Sequence, residues 1–170
     1  MIPLLTPLSE KTAGSLKVGD RILLSGRIYL GRDAVLPRIC QLIDEGRLAE
    51  FGIDLAGAAI FHSAFSPAGL GPTSSNKLEI ESSMPKLARA GVRLHLGKGE
   101  IGEETIRALH EHHSVFAVTP PVTALFRQNI RNKRVAAFPE LGMEAFYELE
   151  VVDFPAIVAA AQNRSIYQGR

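Results

Sequence analysis

Three short loops in the sequence combine glycine with a single cation. They read "GRD" at 31–33, "GPTSSNK" at 71–77 and "GKG" at 97–99, and their cations are Arg32, Lys77 and Lys98. Glycine lets backbone N–H groups come close to a ligand, and guanidinium or ammonium groups bind carboxylates. The middle loop adds short side chains that form hydrogen bonds, namely Thr73, Ser74, Ser75 and Asn76. These residue types predict a site for a small anion, and a dicarboxylate suits them.

Each of these loops follows a predicted strand, so the strands must position the cations. The predicted strands are 18–30, 55–65, 92–96, 114–120, 134–141 and 143–154. Helices are predicted at 32–46, in the second half of 78–91, and at 103–113, 121–132 and 155–164, with a loop over 69–79. This alternation predicts an α/β fold with a central mixed or parallel sheet, whose binding loops gather at the carboxyl ends of its strands. If the strands are neighbours, the three cations converge on one ligand.

Composition excludes several classes of protein. The 170 residues, 46% of them hydrophobic, predict one domain over residues 1–170. A net charge of +1 argues against nucleic-acid binding, which relies on a broad positive field. Pro3 and Pro7 interrupt the apolar start, so the sequence predicts no signal peptide, no membrane segment and a cytoplasmic protein. The single cysteine, Cys40, cannot supply the thiolates of an iron–sulfur cluster, so any cluster must come from elsewhere.

Other reactive side chains are interpreted as structural. The "HEHH" stretch at 110–113 lacks the spacing of the zinc motif HExxH, and a solvated helix end is predicted there. His62 and His95 lie on or beside predicted strands, where a hydrogen-bonded structural histidine is favoured over a catalytic one. Cys40 lies on the apolar face of its predicted helix, which indicates a buried and inert thiol.

Four segments together resemble a known family. They read "LSGRIYLGRDAVLPR" at 24–38, "GPTSSNKLE" at 71–79, "HLGKG" at 95–99 and "ELGMEAFYELEVVDFPA" at 140–156. In their order and separations they resemble the carboxyl-terminal domain of class I iron–sulfur hydro-lyases. That family includes class I fumarase and the β subunit of L-tartrate dehydratase. The likeness covers nearly the whole chain.

The resemblance implies a swivelling β/β/α domain that works beside a larger cluster-bearing domain, here a separate α subunit. It implies that a 4Fe-4S cluster carried by this partner acts as a Lewis acid on the substrate, in a reversible, non-redox addition or removal of water. No cofactor is expected on this chain alone. The chain is expected to assemble as a homodimer or in an α2β2 complex.

The resemblance also implies roles for individual residues. Arg32 matches the arginine of the family's RDA motif and Lys98 the lysine of its GKG motif, and both bind substrate carboxylates. Thr73 matches a threonine beside the reacting carbon, which makes it the catalytic candidate for proton transfer, and Ser74 and Lys77 are further substrate-binding candidates. The family usually reads GPTT(S/A)GRMD, so this chain departs from it at Ser74, Asn76, Lys77 and Glu79. Lysine is a point charge where arginine is a planar fork, so the identity of the substrate stays open.

Two classes of function remain. The first is the β subunit of a hydro-lyase that converts fumarate and water to malate, with tartrate, mesaconate or a related hydroxy dicarboxylate as alternative substrates. The second is a non-catalytic module of the same fold that binds a small anion. The altered pair Asn76 and Lys77 is the feature that favours the second class.

Overall fold

Strands and helices alternate along the chain in the computed structural model, which describes residues 1–66, 69–70, 77–120 and 128–167. Within these ranges the strands are β1 (Ile2–Leu5), β2 (Arg21–Leu30), β3 (Ala59–Phe61), β4 (Phe65–Ser66), β5 (Gly69–Leu70), β6 (Leu94–Gly97), β7 (Val115–Val118), β8 (Ile130–Ala137), β9 (Phe146–Ala161) and β10 (Arg164–Ser165). The helices are α1 (Glu10–Ser15), α2 (Leu36–Asp44), α3 (Lys77–Arg89) and α4 (Glu103–Glu111), and two 3-10 segments span Leu48–Phe51 and Pro139–Glu144.

Five of these strands form a closed ring. β2, β3, β6 and β7 lie side by side in that order and run parallel to one another. β9 runs antiparallel to both outer strands of this row, β2 and β7, and so closes the sheet on itself. β1 continues the sheet beside β2, and β8 continues it beside β9. In this ring the four parallel strands all have their carboxyl ends at the same edge.

The ring divides the hydrophobic core into a part inside the ring and a part between the ring and the helices. One apolar cluster takes residues from all five ring strands and fills its inside; examples are Leu30, Phe61, Leu96, Ala117 and Val151. Successive residues of a strand point to opposite faces of the sheet, so the remaining apolar side chains point outward. The amphipathic helices cover them, with α2 and α3 in a second cluster and α3 and α4 in a third. Burial on both faces holds the strand ends in place.

The predicted α/β fold with a mixed sheet is confirmed. β2, β6 and β7 lie within or close to strands predicted from the sequence, and α2 and α4 correspond to helices predicted at 32–46 and 103–113. Pro37 lies in the first turn of α2, where its missing N–H removes no helical hydrogen bond. The predicted strand at 55–65 is shorter in the structure, because β3 covers only Ala59–Phe61. No helix in the described part of the chain is long and apolar enough to cross a membrane.

The helix predicted over 155–164 is wrong, because β9 continues through this segment to Ala161. Its alanines favour a helix locally, yet Ala156 pairs with Ile22 and Ile157 pairs with Val118. Pairing on both sides is what closes the ring, so tertiary contacts override the local preference for a helix.

Two other boundaries also differ from those predicted. The helix predicted over 121–132 is wrong from Ile130 onward, where β8 begins, and residues 121–127 lie outside the described residues. The loop predicted over 69–79 contains the short strand β5 and ends earlier, because α3 begins at Lys77. Residues 71–76 of that loop also lie outside the described residues.

Candidate functional site

The candidate site lies at the edge of the ring where its parallel strands end. Two backbone hydrogen bonds align the ends of β2, β3 and β6, from the Gly31 N–H to the Phe61 carbonyl at 3.1 Å and from the His62 N–H to the Leu96 carbonyl at 2.9 Å. The loops that carry Arg32 and Lys98 therefore leave the sheet at the same edge. They are two strand spacings apart, about 10 Å along the sheet, which is within the combined reach of two long cationic side chains.

Arg32 is bound by an acidic residue from far along the chain. Its Nε donates to Oε1 of Glu144 at 2.7 Å, and its Nη2 donates to the same oxygen. Both side chains are only about a quarter exposed, 24% for Arg32 and 26% for Glu144. Hydrogen bonding to the Glu144 carboxylate, which accepts from Arg32, raises the pKa of the guanidinium above its ordinary value, so the group stays charged at any physiological pH.

The segment that presents Glu144 packs against the beginning of α2. It starts after Phe138, whose backbone is left-handed at φ 56° and ψ 54°, and it forms the 3-10 turn that ends at Glu144. A second ion pair joins Arg38 of α2 to Glu140 of the turn at 3.2 Å, and the Arg38 guanidinium lies 5.4 Å from the centre of the Phe138 ring. The acidic turn therefore lies against the start of α2, beside the loop that contains Arg32.

Lys98 has different surroundings. It is exposed in the loop that follows β6, and it forms no ion pair with any residue in the described ranges. Among the described residues the site therefore has one cation paired with a carboxylate, Arg32, and a second, Lys98, that has no ion-pair partner. Such a pair of cations can bind a ligand with two carboxylate groups.

The structure describes only one of the three remaining predicted site residues. Thr73 and Ser74 lie outside the described residues, and Lys77 is the first residue of α3. The structure thus brings the loops of Arg32 and Lys98 together at one edge. The roles predicted for all five residues stay predictions.

His62 and His95 form a buried pair beside the site. Nε2 of His62 lies 3.0 Å from Nδ1 of His95, and both rings are fully buried. Because a neutral imidazole carries one N–H, one ring donates this hydrogen bond to the other. The outer nitrogens, His62 Nδ1 and His95 Nε2, have no partner within the described part of the chain. The prediction that these histidines are hydrogen-bonded is confirmed, and their partners are each other.

Burial of this pair should make the stability of the protein depend on pH. It lowers the pKa of His62 from 6.5 to about 4, and it lowers the pKa of His95 well below 6.5, where the neighbouring His62 adds to the effect. Between pH 6.5 and 4 the unfolded chain protonates these rings while the folded chain keeps them neutral. The unfolded state then binds more protons, so we expect the free energy of unfolding to fall by about 3 kcal/mol for His62 alone across this interval.

Urea unfolding at pH 7.5 and pH 4.5 measures this loss. The double variant His62→Leu with His95→Met removes the titrating pair, and we expect a smaller loss of stability in it. His110→Gln is the matched control, because His110 is exposed at the end of α4 and should leave the loss unchanged. Equal losses in the wild type and the double variant would contradict this explanation.

Other reactive side chains agree wholly or in part with their structural interpretation. His110 and His113 are exposed at the end of α4, as predicted for a solvated helix end. Cys40, a residue of α2, is half-buried, whereas a buried thiol was predicted. This partial burial raises the pKa of the thiol, so it is less reactive than an ordinary cysteine. Within the described ranges no three histidine, cysteine or acidic side chains come together as metal ligands.

The sequence interpretation assigned no role to Glu144. This residue lies within the "ELGMEAFYELEVVDFPA" segment, but its partner Arg32 is 112 positions away. No local spacing connects two residues at that distance. The only signal was the presence of an acidic side chain in one of the four segments that carry the family resemblance.

Known proteins resemble this chain along most of its length. The sequence matches the family described as Fumarase C-terminus over residues 1–169. The anaerobic class I fumarate hydratase of Escherichia coli K12 is 30% identical over 83% of this chain, which corresponds to 27% of that enzyme. A putative class I fumarate hydratase of Geobacillus stearothermophilus is 31% identical over 93% of the chain and 32% of its own length. The chain thus spans about a third or less of these two relatives.

A third relative is matched along most of its own length. The putative L(+)-tartrate dehydratase subunit beta of Methanocaldococcus jannaschii is 31% identical over 95% of this chain and 88% of its own length. The family match over nearly all residues and this similarity along most of both chains agree with the resemblance of the four segments. The chain belongs to the Fumarase C-terminus family.

Proposed function

We propose that this chain is the β subunit of a two-subunit iron–sulfur hydro-lyase, and that the enzyme interconverts fumarate and malate. The observation that carries the proposal is the shared strand edge from which the loops of Arg32 and Lys98 emerge. In a chain that matches the Fumarase C-terminus family over residues 1–169, these cations are suited to bind the two carboxylates of a short dicarboxylate.

In this proposal each residue of the chain has a part in binding or proton transfer. Arg32 and Lys98 bind the carboxylate groups and so fix the carbon chain between them. Ser74 and Lys77 add a hydroxyl and a further cation, and Thr73 exchanges the proton at the reacting carbon. A hydroxyl group is a weak base without an activating neighbour, so the proposal includes an acidic group of the partner subunit beside Thr73.

The iron–sulfur cluster is assigned to the partner subunit. Cys40 is the only cysteine of the chain, and it is half-buried within α2, so the residues present do not fit a cluster. The cluster in the α subunit would supply Lewis-acid chemistry at the substrate's hydroxyl group. The 31% identity to a protein named as a subunit beta, over 88% of that protein, supports a separate partner chain, in an α2β2 complex or with a homodimer of this chain at its centre.

A second candidate reaction is the dehydration of tartrate. It is favoured by the 31% identity to the putative tartrate dehydratase subunit beta over most of both chains. Lys77 bears on this choice, because a point charge and a planar fork hold a carboxylate in different positions. The non-catalytic module that binds a small anion is the alternative if no cluster-bearing partner exists.

Purification from the native host tests the proposal. An affinity tag on this chain, used under anaerobic conditions, should recover a second, brown subunit that contains iron and sulfide. The complex is then assayed with fumarate, tartrate and mesaconate, and we expect the highest kcat/KM with fumarate. Recovery of the chain alone, or of a complex inactive on all three substrates, would contradict the proposed function.

A further inference from the structure

We propose that Glu144 is a positioning residue for substrate binding, which holds the guanidinium of Arg32 in place and stays bound to it when a substrate carboxylate arrives. The inference deepens the proposed function and rests on it. It concerns a residue to which neither the sequence interpretation nor the family resemblance assigned a role.

The first argument is the geometry of the contact. A guanidinium has five N–H donors in one plane, and Glu144 engages the edge formed by Nε and Nη2. Both of these donors bind a single oxygen, Oε1. Two bonds to one fixed atom restrict rotation of the guanidinium plane about the end of the side chain. Glu144 therefore sets the direction in which Arg32 can bind a carboxylate.

The second argument is that release of Arg32 would be unfavourable for the Glu144 carboxylate. Its other oxygen, Oε2, is buried and has no hydrogen-bond partner within the described part of the chain. If Arg32 moved to a substrate and released Oε1, both oxygens of a largely buried carboxylate would lack partners, which is unfavourable. Substrate binding that keeps the pair intact avoids this loss.

The third argument is that the backbones of the two residues are packed together. Phe146, two residues after Glu144, is fully buried and stacks on Tyr29 with ring centres 5.1 Å apart. Gly31 directly precedes Arg32, and a Cβ atom built on Gly31 would lie only 3.0 Å from the Phe146 ring. The two segments thus meet with no room for a side chain between them. This contact fixes the distance over which Glu144 reaches Arg32.

We expect the Glu144→Gln variant to lose turnover while it largely keeps substrate binding. In Glu144→Gln the positive charge of Arg32 remains and is no longer offset by the Glu144 carboxylate, so attraction for dicarboxylates persists. Hydrogen bonds to a neutral amide oxygen are weaker than those to a carboxylate, so the guanidinium is held less firmly and the substrate is placed less accurately. We expect kcat to fall by about tenfold or more while KM changes by less than about threefold.

Glu140→Gln is the matched control. Glu140 lies in the same 3-10 turn and also pairs with an arginine, Arg38, but this pair is exposed. A general weakening of the turn would affect both variants, whereas loss of the orientation of Arg32 affects only Glu144→Gln. The double variant Arg32→Lys with Glu144→Gln provides a second test. If Glu144 acts through Arg32, adding Glu144→Gln to Arg32→Lys should lower kcat by less than about twofold further.

A measurement on the full chain alone separates this inference from the proposed function. Exchange of the Arg32 Nε–H with water, followed by NMR, should be slow in the wild type and at least tenfold faster in Glu144→Gln. The inference is overturned if Glu140→Gln and Glu144→Gln have the same kcat in an active complex, or if the exchange rate does not change. An inactive wild-type complex would instead overturn the proposed function, and the exchange measurement would still decide whether Glu144 holds Arg32.

Discussion

Replacement of Arg32 by methionine in the assembled complex is expected to lower kcat/KM by about 30-fold to several thousand-fold. The reason is that truncating one partner of a desolvated charge pair costs about 2–5 kcal/mol. The variant lacks the cation that would bind a substrate carboxylate, and Oε1 of Glu144 no longer accepts hydrogen bonds from Arg32. We therefore expect a lower melting temperature in addition to the kinetic loss.

Arg38→Met is the control for this variant. Arg38 lies in α2 close to Arg32 and also pairs with an acidic residue, Glu140, but its side chain is 46% exposed. Exposed ion pairs contribute little to stability, so this variant should keep nearly normal activity. Steady-state kinetics and thermal unfolding of both variants make the comparison. If Arg32→Met retains the kcat/KM of Arg38→Met, Arg32 does not bind the substrate.

Replacement of Lys98 by methionine is expected to lower kcat/KM over the same range, about 30-fold to several thousand-fold. The effect on stability should differ from that of Arg32→Met, because Lys98 is exposed and has no ion pair within the described ranges. Its melting temperature should therefore match that of the wild type. A large kinetic loss without loss of stability is the behaviour of a residue that contacts only the ligand.

Lys17→Met is the matched control for Lys98. Lys17 is also exposed, but it precedes β2 and so lies at the opposite end of the strands. It should retain the wild-type kcat/KM. Equal kinetics in Lys98→Met, Lys17→Met and the wild type would mean that Lys98 is an ordinary surface residue.

Local patterns were sufficient to predict the edge of the sheet at which the cations lie. A short, largely apolar run that ends in glycine indicates a strand and a turn, and both Arg32 and Lys98 follow such runs. Parallel neighbours then bring the two loops to the same edge, which the backbone bonds between β2, β3 and β6 confirm. The prediction depended only on residues close in sequence and on a general rule of sheet topology.

Features that depend on distant contacts could not be predicted in this way. The alanines of residues 155–161 favour a helix. This segment is nevertheless a strand, because β2 and β7 both pair with this part of β9. Glu144 reaches Arg32 across 112 positions, and His62 meets His95 across 33. In each case the closed ring and its packing determine which residues come into contact. No short stretch of sequence contains a signal for these contacts.

Anaerobic reconstitution is the most direct measurement of the proposed role as a catalytic β subunit. The chain alone, the cluster-loaded α subunit alone and an equimolar mixture are each supplied with fumarate, and malate formation is followed over time. We expect malate only in the mixture, because this chain supplies cations for the carboxylates and the partner supplies the cluster. Malate formation by the iron-free chain alone, or a stable mixture that hydrates no fumarate, would contradict this role.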